Sequence, residues 1–312
     1  MSVVLWASAK YFENHEFLRS FPQHHARPCA AIIVLNMSLT TVLRSVVWRL
    51  QGRKIVFCVH EPISKITDFQ NLKLSTLQLA KLRAMRILIR LQIVLSSMLI
   101  AYSRKTASEL NKTKPIVTHP LLYVDQNTSI SSVVKDHIAY IGTIANDHAF
   151  PEFVAFVEHC LEYELFPNQR FLIATRSEFD KDHFVRWGLQ KAARVSIQSG
   201  CILSDSQINA CYSRAKIVWC AYSRSNQSGV LPKAYMFGSP VIVLAGIMDD
   251  HFQAGVLGEA ITSYAVNDIV QSVNLILNDY TQLSKNCRRY YTSTFDYKAN
   301  LEAVKKLVHT NG

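Results

Sequence analysis

Short, unbroken runs of β-branched and aliphatic residues, separated by stretches with helical spacing, constrain this chain more than any other feature. One series comprises Val3–Trp6, Ala31–Leu35, Lys54–Val59, Met98–Tyr102 and Pro115–Thr118. A second comprises His137–Ile141, Arg170–Thr175, Val195–Gln198, Ile217–Cys220, Val241–Leu244 and a short Ile261–Tyr264. Apolar spacing predicts helices near 39–51, 72–96, 104–111, 151–163, 180–191, 205–213, 230–237, 266–278 and 281–289. A strand that is apolar at every position must be covered on both faces, and alternation with helices supplies that cover in a parallel sheet. Between the two series lies the polar stretch DQNTSISSVVKD, residues 125–136. The expected architecture is α/β, with two Rossmann-like doubly wound domains, 1–130 and 131–312, facing a central cleft. The last helical residues pack near the interdomain junction. Ligands of such sheets sit outside the carboxyl ends of the strands.

Composition agrees and narrows the function classes. The 312 residues are 49% apolar and 18% charged, enough for a large core. Lys and Arg number 34 against 23 acids, and the excess of 11 suits an anionic partner. The basic residues are dispersed and no nucleic-acid recognition motif occurs, so nucleic acid is not the expected partner. The cysteines at 29, 58, 160, 201, 211, 220 and 287 have no C-x-x-C spacing and sit mostly in apolar runs. They read as buried thiols of a reducing compartment, with no zinc site or disulfide framework. The uncharged stretches 28–43 and 234–248 are too short to span a bilayer, which predicts a soluble or peripheral protein.

Candidate sites cluster at strand ends. SNQSGVLPKAYMFGSPVIVLAG, residues 225–246, places Ser228-Gly229 where a loop enters a helix. The first amides of a helix lack intrahelical partners and its dipole is positive there, so a small residue admits an anion such as a diphosphate. The backbone of Ser228, Gly229 and Val230 is the expected cradle, with a plain turn as the alternative. Gly142-Thr143 permits close backbone approach of a phosphate or is a strand-end turn. Tyr222 follows the 217–220 strand and either meets the ligand or packs. His60-Glu61 closes the 54–59 strand. Its imidazole titrates near neutrality and serves as a general base or as a structural histidine, with Glu61 orienting it or acting as the base itself. Asp147-His148 reads as a solvated loop and His24-His25 as an exposed turn. In the helix near 72–96, Arg83, Arg86 and Arg90 form a narrow stripe and the apolar remainder predicts a largely buried helix with a solvated arginine edge. The alternative is an interfacial helix meeting anionic headgroups or a lipid diphosphate.

The run from Leu203 to Val243 resembles the donor-binding half of GT-B glycosyltransferases, especially family 4-like sugar transferases of the bacterial polysaccharide and O-antigen type. ILSDSQINACYSRAKIVWCAY resembles their loop, helix and hydrophobic strand, and SGVLPKAYMFGSPVIV their phosphate-binding helix start followed by Gly-x-Pro-Val-Ile. YIGTIANDHAFPEFVAF resembles the first strand-loop-helix of that domain, while KIVFCVHEP and MLIAYSRKTASEL resemble acceptor-domain strands ending in His and in Ser. The resemblance implies transfer of a sugar from a nucleoside-diphosphate donor to a saccharide acceptor, lipid-linked, in surface polysaccharide synthesis. It implies no cofactor and no metal, and a cytoplasmic site at the inner membrane face. Donor contacts would fall on Gly142, Thr143, Arg176, Tyr222, Ser228, Gly229, Val230 and Lys233, catalysis on His60 or Glu61, and acceptor or anionic-membrane contact on Arg83, Arg86 and Arg90. Family 4 enzymes carry glutamates where this chain has Ser225 and Lys233, and an arginine where it has Thr143. Arg176, Lys233 or Arg224 would supply the missing positive charge. Those departures keep a second expectation open, a catalytically silent GT-B relative that binds a nucleotide or a partner.

Overall fold

The strand runs pair in two all-parallel sheets in the computed structural model, which describes residues 3–6, 31–35, 37–59, 76–110, 114–120, 122–126, 133–180, 184, 191–223, 229–246 and 250–300. The chain divides into two units, Met1–Val124 with Tyr297–Gly312, and Asp125–Asp296.

The first unit holds β1 (Val3–Trp6), β2 (Ala31–Val34), β3 (Lys54–Val59), β4 (Met98–Ala101) and β5 (Ile116–Thr118), paired in that order. Its helices are α1 (Leu39–Leu50), α2 (Thr76–Leu95) and α3 (Arg104–Glu109). Sequential strand order and right-handed crossovers put α1 and α2 on the same face of the sheet. They pack there on each other and on β3. Ile32, Val34, Ile55, Phe57 and Leu99 form the core between the layers. Ser38 starts α1 by accepting from the Thr41 amide at 3.1 Å, and Ser103 starts α3 by accepting from that of Thr106 at 3.0 Å.

The second unit contains β6 (His137–Ile141), α4 (Phe150–Glu162), β7 (Arg170–Ala174), β8 (Val195–Gln198), α5 (Asp205–Arg214) and β9 (Ala215–Cys220). It continues with α6 (Val230–Met236), β10 (Val241–Leu244), β11 (Gly258–Ile261), α7 (Val266–Asn278) and α8 (Tyr280–Thr294). The sheet order is β11-β10-β9-β6-β7-β8. Strands β6 to β8 build outward in one direction. The chain then returns across the sheet and β9 to β11 build outward in the other. Strand order therefore reverses between β6 and β9, a doubly wound arrangement. Tyr140, Phe153, Phe156, Phe171 and Trp219 pack at the centre, all essentially without solvent contact. Each such side chain stabilises the fold by roughly 1.5–3 kcal/mol. A capping box on Ser204 and Gln207 starts α5 and contributes about 1 kcal/mol.

Two elements differ from the sequence expectation. The last strand is Gly258–Ile261 and not 261–264. Gly258 pairs with Val241, and a Cβ there would lie 2.0 Å from the Val241 carbonyl oxygen, so only glycine lets β11 close on β10. Thr262 and Ser263 leave the sheet because their hydroxyls donate to the Asp268 carboxylate at 3.0 and 2.7 Å. Helix α8 runs on to Thr294, because Leu283, Cys287 and Tyr291 keep a buried stripe four residues apart. The helix expected at 180–191 lies mostly outside the described residues.

Candidate functional site

The carboxyl ends of β6, β7 and β9 meet beside the reversal in strand order. β6 runs out into Gly142, whose φ of +147° suits glycine and whose amide donates to the Ala174 carbonyl at 2.9 Å. The loop that follows is fixed from several sides. The Thr143 carbonyl accepts from the Tyr140 hydroxyl at 2.9 Å and from His148 Nδ1 at 2.5 Å. The Ile144 amide donates to Ser177 Oγ at 3.2 Å, tying the loop to the end of β7. Burial pushes the Tyr140 phenol above its ordinary range, so it stays a neutral donor.

From β9 the chain leaves through Ala221, Tyr222 and Ser223. The Ser223 amide donates to the Asp147 carbonyl at 2.9 Å, and Tyr264 donates its hydroxyl to the Ala221 carbonyl at 2.9 Å. The Tyr222 ring stacks on His148, centroids 4.5 Å apart and planes 22° off parallel. His148 is thus half-buried beside the strand ends, not part of the solvated loop its sequence context suggested. Nδ1 of this ring lies against the Thr143 carbonyl, and Nε2 lies 3.9 Å from Asp147 Oδ1. Thr143 serves here through its carbonyl, as the fixed point of the loop.

Helix α6 starts against this loop. A Cβ built on Gly142 would lie 3.8 Å from Val230 Cγ2, so the end of β6 and the start of α6 are neighbours. Gly229 is the residue before the helix, exposed, with φ −64° and ψ −14°. That is ordinary right-handed backbone, so glycine is not required there by a left-handed turn. Lys233, one turn on, is half-buried. Burial pushes its ammonium below the usual value, and Asp205 at the start of α5 opposes that shift. The far end of α6 is anchored by Arg288, which donates to the Met236 carbonyl at 2.6 Å and pairs with Asp125, and by Lys135, which donates to the Phe237 carbonyl.

The sequence-predicted residues divide as follows. Gly142, Thr143, Tyr222, Gly229, Val230 and Lys233 lie at or beside the strand ends of the second unit. Arg176 lies two residues past the end of β7 and is exposed. His60, Glu61, Ser228, Arg224, Ser225 and His24-His25 lie outside the described residues. Arg83 and Arg90 are exposed on α2 and Arg86 is half-buried. The expectation of a largely buried α2 fails: Leu77, Met85, Ile87, Leu91 and Val94 are all exposed, because only the side bearing Ile89, Gln92 and Ile93 turns to the sheet and α1. Sequence reasoning placed His148 in a solvated loop and did not single out Ser177, which holds the Ile144 amide. The signal for both was position alone, within a few residues of a strand's carboxyl end. Among the described residues no group of three His, Cys, Asp or Glu side chains is placed to hold a metal ion.

No protein-family model matches the chain, and no curated protein matches it by sequence. Solved structures do match. Sucrose-phosphate synthase from Thermosynechococcus elongatus superposes with a TM-score of 0.63 at 17% identity, over 97% of this chain and 80% of that one. Anabaena HepE in complex with UDP gives 0.61 at 13% identity, over 90% and 79%. The pneumococcal O-GlcNAc transferase GtfA, solved with UDP and GlcNAc, gives 0.63 at 18% identity, over 90% of this chain and 56% of that one. The fold is GT-B. The second unit's strand order is that of a Rossmann-like doubly wound domain. The chain spans only about half of GtfA, so the likeness there concerns the shared fold and not the whole transferase.

Proposed function

We propose that this GT-B chain is a hexosyltransferase that moves a sugar from a nucleoside-diphosphate donor to a saccharide acceptor. The observation that carries the reading is the meeting of Gly142 and the start of α6 at the reversal in strand order. Two backbone segments with small residues converge there, at the edge where a sheet of this order takes nucleotides. Support comes from two matched structures, HepE and GtfA, which hold UDP. In the proposed reaction an acceptor hydroxyl attacks the anomeric carbon, the bond from that carbon to the diphosphate oxygen breaks, and the nucleoside diphosphate leaves. The hydroxyl proton passes to His60 or Glu61. Ser228, Gly229 and Val230 cradle the diphosphate, Lys233 and Arg176 add positive charge, and Tyr222 lines the donor side. An arriving diphosphate restores the charge stabilisation that burial takes from Lys233. In this reading no divalent cation is needed, and turnover is insensitive to chelators.

The acceptor in this proposal is lipid-linked, the product enters a surface polysaccharide of the O-antigen kind, and the enzyme works peripherally at the cytoplasmic face of the membrane. Ser225 and Lys233, which stand where family 4-like enzymes carry glutamates, favour a second reading as a silent relative that binds nucleotide without transfer. A screen across UDP, GDP, ADP and TDP by thermal shift tests what the two readings share. One nucleoside diphosphate should stabilise the protein by ~2.7 kcal/mol at about a hundred times its dissociation constant. A flat response to all four would remove both readings.

A further inference from the structure

Helix α1 turns an apolar side outward. Its most apolar stripe, Leu39, Leu43, Val46, Val47 and Leu50, is exposed, while Thr41, Val42 and Ser45 face the interior. Leu39, Leu43, Val47 and Leu50 keep 61, 58, 50 and 84% of their surface accessible. Apolar residues at this spacing normally form the core face of a helix. Single exposed leucines are commonplace, but a continuous helical stripe marks an interaction surface. Helix α2, packed against α1 on the same face of the sheet, repeats the arrangement with Leu77, Ile87, Leu91 and Val94.

Charge identifies the occupant. Neither helix contains an aspartate or glutamate, and Arg44, Arg49, Lys81, Arg83 and Arg90 are exposed on them. A second copy of the chain would oppose this basic face with an identical one, and like charges would repel across the contact. An anionic bilayer satisfies both features at once: headgroups take the cations, and the interfacial layer takes the apolar stripe to a depth of ~5–10 Å. Among the described residues no helix is long and apolar enough to cross a membrane, so contact would be lateral.

We propose that α1 and α2 together form a docking surface for anionic lipid bilayers, with the outward stripe of α1 as the part that enters the headgroup layer. This deepens the proposed function, on which it rests only for the lipid-linked acceptor such a surface would bring within reach. The test is co-sedimentation of the full chain with phosphatidylcholine vesicles, with and without phosphatidylglycerol. The parent should bind only the anionic vesicles. Leu43→Gln/Val47→Gln/Leu50→Gln, all at exposed positions, should weaken partition on the order of tenfold or more at every salt concentration. Arg83→Gln/Arg90→Gln should weaken it on the order of tenfold at low salt, with the effect shrinking as salt rises. A parent that ignores anionic vesicles would overturn the proposal, as would a folded α1 triple variant that binds them like the parent. So would lipid-free self-association of the parent, seen by sedimentation velocity, that the triple variant abolishes. Nucleotide binding is read separately by calorimetry without vesicles, where the triple variant should match the parent. Vesicle binding by a parent that takes no nucleotide would leave the docking surface standing and remove the transferase reading.

Discussion

Gly229→Val should lower the affinity for the nucleoside diphosphate about a hundredfold, equivalent to ~2.7 kcal/mol, while the protein stays folded. The backbone at Gly229 is right-handed and the residue is exposed, so valine is sterically allowed there. Its cost to the helix start is a loss of capping preference of about 1 kcal/mol, small beside the stability of a domain. What changes is the space in front of the first turn of α6, where a branched side chain would stand in the diphosphate's place. Lys233→Ala supplies the comparison. It removes charge without filling space, so its effect should be several-fold smaller and should grow as salt is lowered. Calorimetric titration of both variants separates the two causes. Undiminished nucleotide affinity in folded Gly229→Val protein would move the diphosphate away from this helix.

The parts of this architecture that sequence reveals are those set by local burial. Runs such as AIIV and VIVL are apolar at every position because both faces of their sheets are covered, and they were legible as parallel strands. The close approach of Gly258 to Val241 is a tertiary fact, and a strand that begins at a glycine carries no local mark of it. Apolar spacing predicted a helix near 39–51 but could not say which face turns inward. The usual assumption that the apolar face does is wrong for α1, whose buried positions include Thr41 and Ser45. The strand-end and helix-start positions of Gly142, Tyr222 and Gly229 could be found because such places have local signatures. His148 could not, because what places it is its stacking on Tyr222, far along the chain.

His60→Ala should lower sugar-transfer turnover by a factor of about a hundred, ~2.7 kcal/mol in the barrier, if the imidazole takes the acceptor's proton. The melting temperature and the nucleotide affinity should stay near those of the parent, since the residue acts on the acceptor side. Glu61→Gln assigns the proton: a larger loss there than at His60 makes the carboxylate the base and the imidazole its partner. The pH profile is a further readout, because a catalytic imidazole gives an activity that falls as pH drops through its titration near neutrality. Full turnover in a folded His60→Ala protein would make this histidine a structural one.

The most direct measurement is release of nucleoside diphosphate by the parent protein from a panel of nucleotide sugars, with and without lipid-linked saccharide acceptors, in the presence of a chelator. The transferase account predicts release from one donor, accelerated by an acceptor and matched mole for mole by glycosylated product. Nucleotide binding with no release and no product under any pairing would contradict it, and would leave a GT-B protein that holds a nucleotide without transferring a sugar.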